Sequence, residues 1–186
     1  MNDDVFIYSS SGRLPNGHGI SGYGIGNLIK NMTDPVGCEI GVERGYTTEY
    51  FLRVNKTTKI YCIDPFANYI DWNGENKNER DMVYKEFLQR MSPFSDRVNI
   101  IKKYSDDAVN DVPDNSLDFI FIDGLHTYEQ VTKDMQNYYD KVKSGGIFSG
   151  HDFSLIDCIN RAVKDFAKTK GKEILTTEHD VWYWYK

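Results

Sequence analysis

The chain has 186 residues, 40% of them hydrophobic and 27% charged, enough for one buried core and too little for two ordinary domains, so any ligands must share one edge of one fold. Its 28 acidic and 22 basic residues give a formal net charge of -6, which argues against nucleic acid as the main partner and for a small molecule. No apolar run is long enough to cross a bilayer and no basic-then-apolar leader is visible, so a cytoplasmic protein without a membrane span is expected.

Residues 1–24 are rich in Gly, Ser and Asn, and 9–24 show neither strand alternation nor a sustained helical repeat. A flexible arm or partial lid is expected there. It leads into a short helix marked by Leu28, Ile29 and Met32 and closed by Thr33, Asp34 and Pro35. Residues 1–35 therefore form an N-terminal arm and 36–186 the domain proper. Segment 36–42 predicts a strand running into Gly41 and Gly45. A helix follows over 46–54, then a second strand over 59–63 that ends at Asp64 and Pro65. The polar tract 68–80 reads as a surface connection, after which Val83, Phe87, Leu88 and Met91 trace the inner stripe of a helix stopped by Pro93.

Segment 98–101 predicts the third strand and 106–109 a helical turn. Segment 117–122 is the most continuous apolar run, as a parallel strand covered on both faces requires, and it ends at Asp123. Val131, Met135, Tyr138 and Val142 then recur at helical spacing, up to the stop at Lys143, Ser144, Gly145 and Gly146. A fifth strand, 147–149, opens onto Gly150, His151 and Asp152. Ile156, Ile159, Val163 and Phe166 mark the next helix, and 173–176 with 181–185 read as a terminal hairpin. Five alternating βα units and a hairpin predict an α/β fold: a Rossmann-like, mostly parallel seven-stranded sheet with helices on both faces and a C-terminal antiparallel hairpin. The three cysteines, Cys38, Cys62 and Cys158, lack zinc-like spacing and read as small buried hydrophobes in a reducing compartment.

In such sheets ligands gather beyond the carboxyl ends of the strands. Glu39 to Gly45 reads E-I-G-V-E-R-G: Gly41 and Gly45 permit a tight turn and close approach to a ligand, or simply shape a turn, and Glu39 can accept from a cationic group. Glu43 places a negative charge where a dinucleotide loop would meet pyrophosphate, which favours a ligand without phosphates. Asp64 suits both ribose hydroxyls of a nucleoside, or a turn beside Pro65. Ser105 and Asp106 suit an adenine edge, with a helix cap as the alternative for Ser105.

F-I-D-G-L-H-T-Y-E and G-H-D-F end strands expected to be neighbours. Asp123 and Asp152 can then face each other and offer hard oxygens to a magnesium-like ion, with His151 counted beside them as a third ligand. His126 is the candidate general base, and structural hydrogen bonding is the alternative reading of both histidines. Glu129 reads as an acid placed by the dipole of the following helix.

With these motifs in hand, the chain resembles the class I S-adenosylmethionine (SAM)-dependent methyltransferases. Within them it is most similar to the small-molecule O-methyltransferases of methyltransferase family 24, which include macrolide-sugar and rhamnosyl methyltransferases. The likeness runs from about Val36 to the terminal hairpin and is carried by E-I-G-V-E-R-G-Y-T-T, C-I-D-P, F-I-D-G-L-H-T-Y-E-Q-V-T-K-D and G-G-I-F-S-G-H-D-F. It implies that Glu39 and Gly41 lie beside the methionine part of SAM, that Asp64 holds the ribose, and that Ser105 and Asp106 are near adenine. It further implies Asp123 and Asp152 as ligands of Mg2+ and His126 as the base. His151 departs from the pattern, because a carboxylate commonly stands there, and this leaves a metal-independent variant open. The implied reaction is O-methylation of a small hydroxylated acceptor, a sugar hydroxyl of a glycan or glycoside ahead of a catechol-like phenol. A nicotinamide-dependent oxidoreductase, disfavoured by Glu43 and a missing third glycine, and a non-catalytic SAM-binding module are the alternatives. Only 35 residues precede the domain to enclose an acceptor, so an open pocket, a homodimer or adjoining domains of a larger protein are expected.

Overall fold

A computed structural model describes residues 20–71 and 73–186; the arm expected over 1–19 lies outside the described residues. The sheet runs β5 (Val98–Ile101), β2 (Lys59–Ile63), β1 (Val36–Ile40), β6 (Leu117–Ile122), β7 (Val142–Gly150), β9 (Val181–Tyr185), β8 (Leu175–Thr177). The first five are parallel, β9 is antiparallel to both β7 and β8, and the expected seven-stranded order with its terminal hairpin is present. Chain order reverses at β1, with β2 and β5 on one side and β6 and β7 on the other, so a crevice opens at the carboxyl ends of β1 and β6.

Strand alternation divides the core. On β6, Ile120 and Ile122 face a cluster with α5 (Tyr128–Tyr138) and α6 (Asp157–Lys170), whereas Phe119 and Phe121 face one with α1 (Tyr23–Ile29), α2 (Tyr46–Val54) and α3 (Arg80–Met91). The same alternation on β9 sends Trp182 and Trp184 to the first cluster, where their rings stack 5.1 Å apart and Trp184 stacks on Phe148. Thr127 caps α5 by accepting from the Gln130 amide at 3.2 Å, and Gly171, at φ 63°, ends α6. No helix among the described residues is long and apolar enough to cross a membrane.

The structure departs from the sequence reading in three places. The polar tract 68–80 contains a short antiparallel hairpin, β3 (Tyr69–Ile70) with β4 (Asn76–Lys77), closed by Asp71 and Glu75. Two-residue strands carry no alternation to detect. Val142 begins β7 rather than extending the α5 stripe: a 3-10 turn over Tyr139–Lys141 follows the helix and carries the apolar spacing on to it. The glycines read as features of an arm also build α1. A Cβ on Gly26 would lie 2.2 Å from the Tyr50 ring and one on Gly24 2.1 Å from Thr177, so glycine is what allows α1 to lie against α2 and the sheet edge.

Candidate active site

A cavity of about 650 Å³ occupies the crevice. Its floor is the turn after β1, where Gly41 has φ 84° and a Cβ would lie 2.1 Å from the Asp123 carbonyl oxygen. Only glycine fits both the conformation and the space. The amide of Gly41 donates to the Ile63 carbonyl and that of Asp123 to the Ile40 carbonyl, each at 2.8 Å, which ties three strand ends together. Gly45, at φ 77°, is the N-cap residue of α2.

Glu39 and Asp64 are the buried acids of this floor. Burial holds the Glu39 carboxyl well above the usual carboxylate range, against a hydrogen bond from the Thr48 hydroxyl. Asp64 accepts from the Phe66 amide at 2.7 Å and the Glu43 amide at 3.1 Å. Each of its oxygens thus accepts one backbone hydrogen bond, and the side chain lines the cavity. Arg80, which the sequence reading left out, opens α3 with its guanidinium 3.6 Å from Asp64 and 3.7 Å from Glu43. It is buried, and its Nε has no hydrogen-bond partner among the described residues.

Asp123, His126, His151 and Asp152 do converge, at one rim of the same crevice. Nε2 of His126 lies 3.1 Å from Asp152 and 3.5 Å from Asp123, and Nδ1 of His151 lies 3.0 Å from Asp152 and 3.7 Å from Asp123. Burial lowers the basicity of both imidazoles, but the neighbouring carboxylates outweigh it. His126 is raised above its ordinary value, chiefly by Asp123, and His151 is pushed up to about 9 by Asp123 and Asp152. Asp152 is held low, with the His151 hydrogen bond overcoming burial. Asp71, on the β3–β4 hairpin, also reaches this group, 3.5 Å from Nδ1 of His126. One donor atom from each of Asp123, His126 and Asp152 falls within a 4.8 Å cluster. Two hard oxygens and an imidazole nitrogen at that separation fit a divalent ion, although the nitrogen so grouped belongs to His126 rather than to the expected His151.

Ser105 and Asp106 lie at the far end of the cavity, with their side chains already engaged. The Ser105 hydroxyl donates to Asp134 at 2.6 Å and accepts from Gln130 at 3.2 Å. Its carbonyl accepts from the Tyr138 hydroxyl at 2.7 Å. Ser105 is the first residue of α4 (Ser105–Ala108), whose N-cap is Tyr104, so it does not cap that helix through its side chain. Asp106 accepts from Lys133 at 2.7 Å and Asn137 at 3.1 Å, on the outer side of α5. Asp134 and Gln130 were absent from the sequence reading, although 131, 134, 135 and 138 share one helical face, and an acid on such a face is itself a signal. Glu129 lies in the first turn of α5, as expected.

Residues 38–153 match a family model described as a methyltransferase domain. The chain is 27% identical over 143 residues to an uncharacterised protein of Acanthamoeba polyphaga mimivirus, covering 71% of this chain and 61% of that one. It is 23% identical to part of an uncharacterised protein of Sinorhizobium fredii, covering 61% of this chain and 12% of that one. The chain thus spans less than two thirds of either relative. Among solved structures, the O-methyltransferase NovP superposes with a TM-score of 0.65 at 21% identity, over 86% of this chain and 74% of NovP. At that identity the likeness is one of fold.

Proposed function

Because the chain belongs to the class I SAM-dependent methyltransferase family, whose domain model it matches over residues 38–153, we propose that it methylates a hydroxyl of a small acceptor, a sugar hydroxyl ahead of a catechol-like phenol. One observation carries this reading: a single crevice holds buried acids suited to a nucleoside and a cation at its floor and an acid–imidazole cluster at its rim.

SAM bound in this cavity would supply an electrophilic methyl: its bond to the sulfonium sulfur breaks as the acceptor oxygen bonds to it in line, which leaves a methyl ether and S-adenosylhomocysteine, a neutral thioether. Asp64 accepts from the two ribose hydroxyls through the lone pairs its backbone donors leave open. Glu39 meets the cationic methionine end. A carboxyl raised by burial gains charge when a cation approaches, so its environment supports a positively charged ligand. Gly41 and Gly45 line the same cavity, where their backbone would meet that ligand, and Gly45 starts α2.

Asp123 and Asp152 would hold a divalent ion, with His151 as the third donor. When bound, such an ion orients the acceptor oxygen and lowers its pKa. His126 would take up the hydroxyl proton, with the carboxylates of Asp123, Asp152 and Asp71 within 3.5 Å of its ring nitrogens to favour the charged imidazolium. His126, and not His151, offers the nitrogen grouped with Asp123 and Asp152, so the two histidines could exchange these roles, and substitution separates them. Loss of the donor raises the Mg2+ concentration needed for half-maximal activity, whereas loss of the base lowers kcat at saturating Mg2+.

The test is methyl transfer from SAM to a panel of saccharides, glycosides and catechols, with Mg2+ or EDTA, by wild type, His126→Ala and His151→Ala. We expect turnover on a hydroxylated acceptor, abolished in His126→Ala by about 100-fold or more and restored by Mg2+ in His151→Ala. Full activity of His126→Ala removes it as the base, and full activity in EDTA removes the metal.

A further inference from the structure

We propose that the acceptor is recognised beyond its reacting sugar, with a second sugar unit seated in a separate cavity between Leu155 and His179, two residues that set the preferred acceptor length. This rests on the O-methylation reading above, which puts the reacting hydroxyl at the rim. Among the described residues, a second cavity of about 380 Å³ is lined by Ser21, His151, Ser154, Leu155, His179 and Asp180. It adjoins the first cavity at Ser21 and His151, which line both. Glu39, Gly41 and Asp64, the residues given to SAM, line only the first. The His151 ring also hydrogen-bonds the backbone of His179, so the second cavity begins where the acid–imidazole cluster ends. With the cofactor in the crevice and a hydroxyl at the rim, the rest of the acceptor extends into this space.

The walls of this cavity are tied to each other. One is the β7–α6 loop and the other the β8–β9 turn, and the Asp180 carboxylate of the turn accepts from the Ser154 amide at 2.8 Å and the Leu155 amide at 3.0 Å. His179 and Asp180 have φ of 61° and 63°, and Asp152, where the loop begins, has 57°. Non-glycine residues hold left-handed backbone only where their surroundings impose it, and they gather at ligand sites. Leu155 is therefore clamped at its amide while its side chain is 74% exposed. An apolar side chain on a fixed backbone can contact a ligand at little ordering cost. The lining also selects the occupant. It holds no lysine or arginine, the Asp180 carboxylate is filled by Ser154 and Leu155, and the His151 ring has Asp152 at 3.0 Å. Such a lining favours a neutral ligand. Two serines beside one aliphatic side chain suit a ring with a hydroxylated edge and an apolar C–H face, which is a sugar, whereas an aryl group calls for a mainly apolar pocket. Leu155 and His179 are thus specificity-determining residues.

The experiment measures kcat/KM with SAM and Mg2+ for the methyl glycosides of glucose, galactose, mannose and rhamnose, each beside a disaccharide ending in the same sugar and its phenyl glycoside. For the sugar that turns over, wild type should prefer the disaccharide to the methyl glycoside by about tenfold or more, because contacts remote from the reacting atoms raise kcat/KM. Leu155→Ser should lower kcat/KM for the disaccharide by about tenfold, with the methyl glycoside and the KM for SAM within twofold of wild type. His179→Asn, which keeps a residue tolerant of left-handed backbone, should narrow the same preference. Wild-type values within twofold for one and two sugars overturn the proposal without any variant. A phenyl glycoside preferred to the disaccharide overturns it too, and so does a Leu155→Ser loss shared equally by short and long acceptors. If no glycoside of either length is methylated, the sugar reading itself falls, an outcome distinct from equal turnover of both.

Discussion

Replacing Asp134 with Asn should make the ligand-free protein more stable. Burial raises the Asp134 carboxyl from its ordinary 3.8 to about 6, with the hydrogen bonds from Ser105 and Gln130 working in the opposite direction. A raised carboxylate pKa means that the folded state resists ionisation. Below pH 3.8 both states are protonated and the group is neutral toward folding. Between 3.8 and about 6 the unfolded chain releases its proton first, so stability falls as pH rises, and above about 6 the full penalty is in force. At about 1.4 kcal/mol per pKa unit this penalty is on the order of 3 kcal/mol, with no discount for solvent because the side chain is buried. Asn removes the ionisation and keeps the oxygen that Ser105 and Gln130 use. For a chain of this size the melting temperature should rise by roughly 5–10 °C at pH 7.5. The assay is thermal unfolding of both proteins across pH 4 to 8, with the gap opening through the interval just described. A variant that melts lower than wild type at every pH, by a constant amount, would refute the reasoning.

Two further outcomes follow from the same geometry. Gly41→Ala must place a non-glycine residue at φ 84° and a methyl group 2.1 Å from the Asp123 carbonyl oxygen. It should lose at least about 2 kcal/mol of stability and all measurable SAM binding, read by urea unfolding and calorimetry; wild-type affinity would show that the turn can move. Asp123→Ala should retain SAM affinity within a few-fold and lose turnover by about 100-fold or more, and unchanged turnover in a folded variant would remove Asp123 from the mechanism.

Much of this architecture was legible because its signals are local. The runs at 36–42 and 117–122 announce buried parallel strands, and Asp64, Asp123 and Asp152 each follow directly on the end of a strand or within two residues of it. The rim cluster followed from strand adjacency alone. What escaped detection depends on long-range contact. Arg80 looks like any polar residue opening a helix, and only the fold places it against Asp64 from 16 positions earlier. Asp71 sits in a polar tract whose two-residue strands have no periodicity, so nothing local marks its approach to His126. Ser105 and Asp106 line the cavity beyond β5, but their side chains turn to α5, a partner some 30 residues away. Asp134 was overlooked although the helical repeat that identified Val131, Met135 and Tyr138 also covers its position.

The strand order has one more consequence, for the β7–α6 loop that carries His151 and Asp152. β9 is threaded between β7 and β8, and the turn that enters it reaches back to this loop: the Asp180 carboxylate accepts from the Ser154 and Leu155 amides, and its carbonyl from the Phe153 amide. The loop is therefore anchored from a distant part of the chain instead of being rigid in itself. Anything that peeled β9 away would slacken the grip on Asp152 while leaving the Asp64 end of the crevice intact, so in the proposed reaction occupancy and turnover would be uncoupled from a point that touches neither reactant.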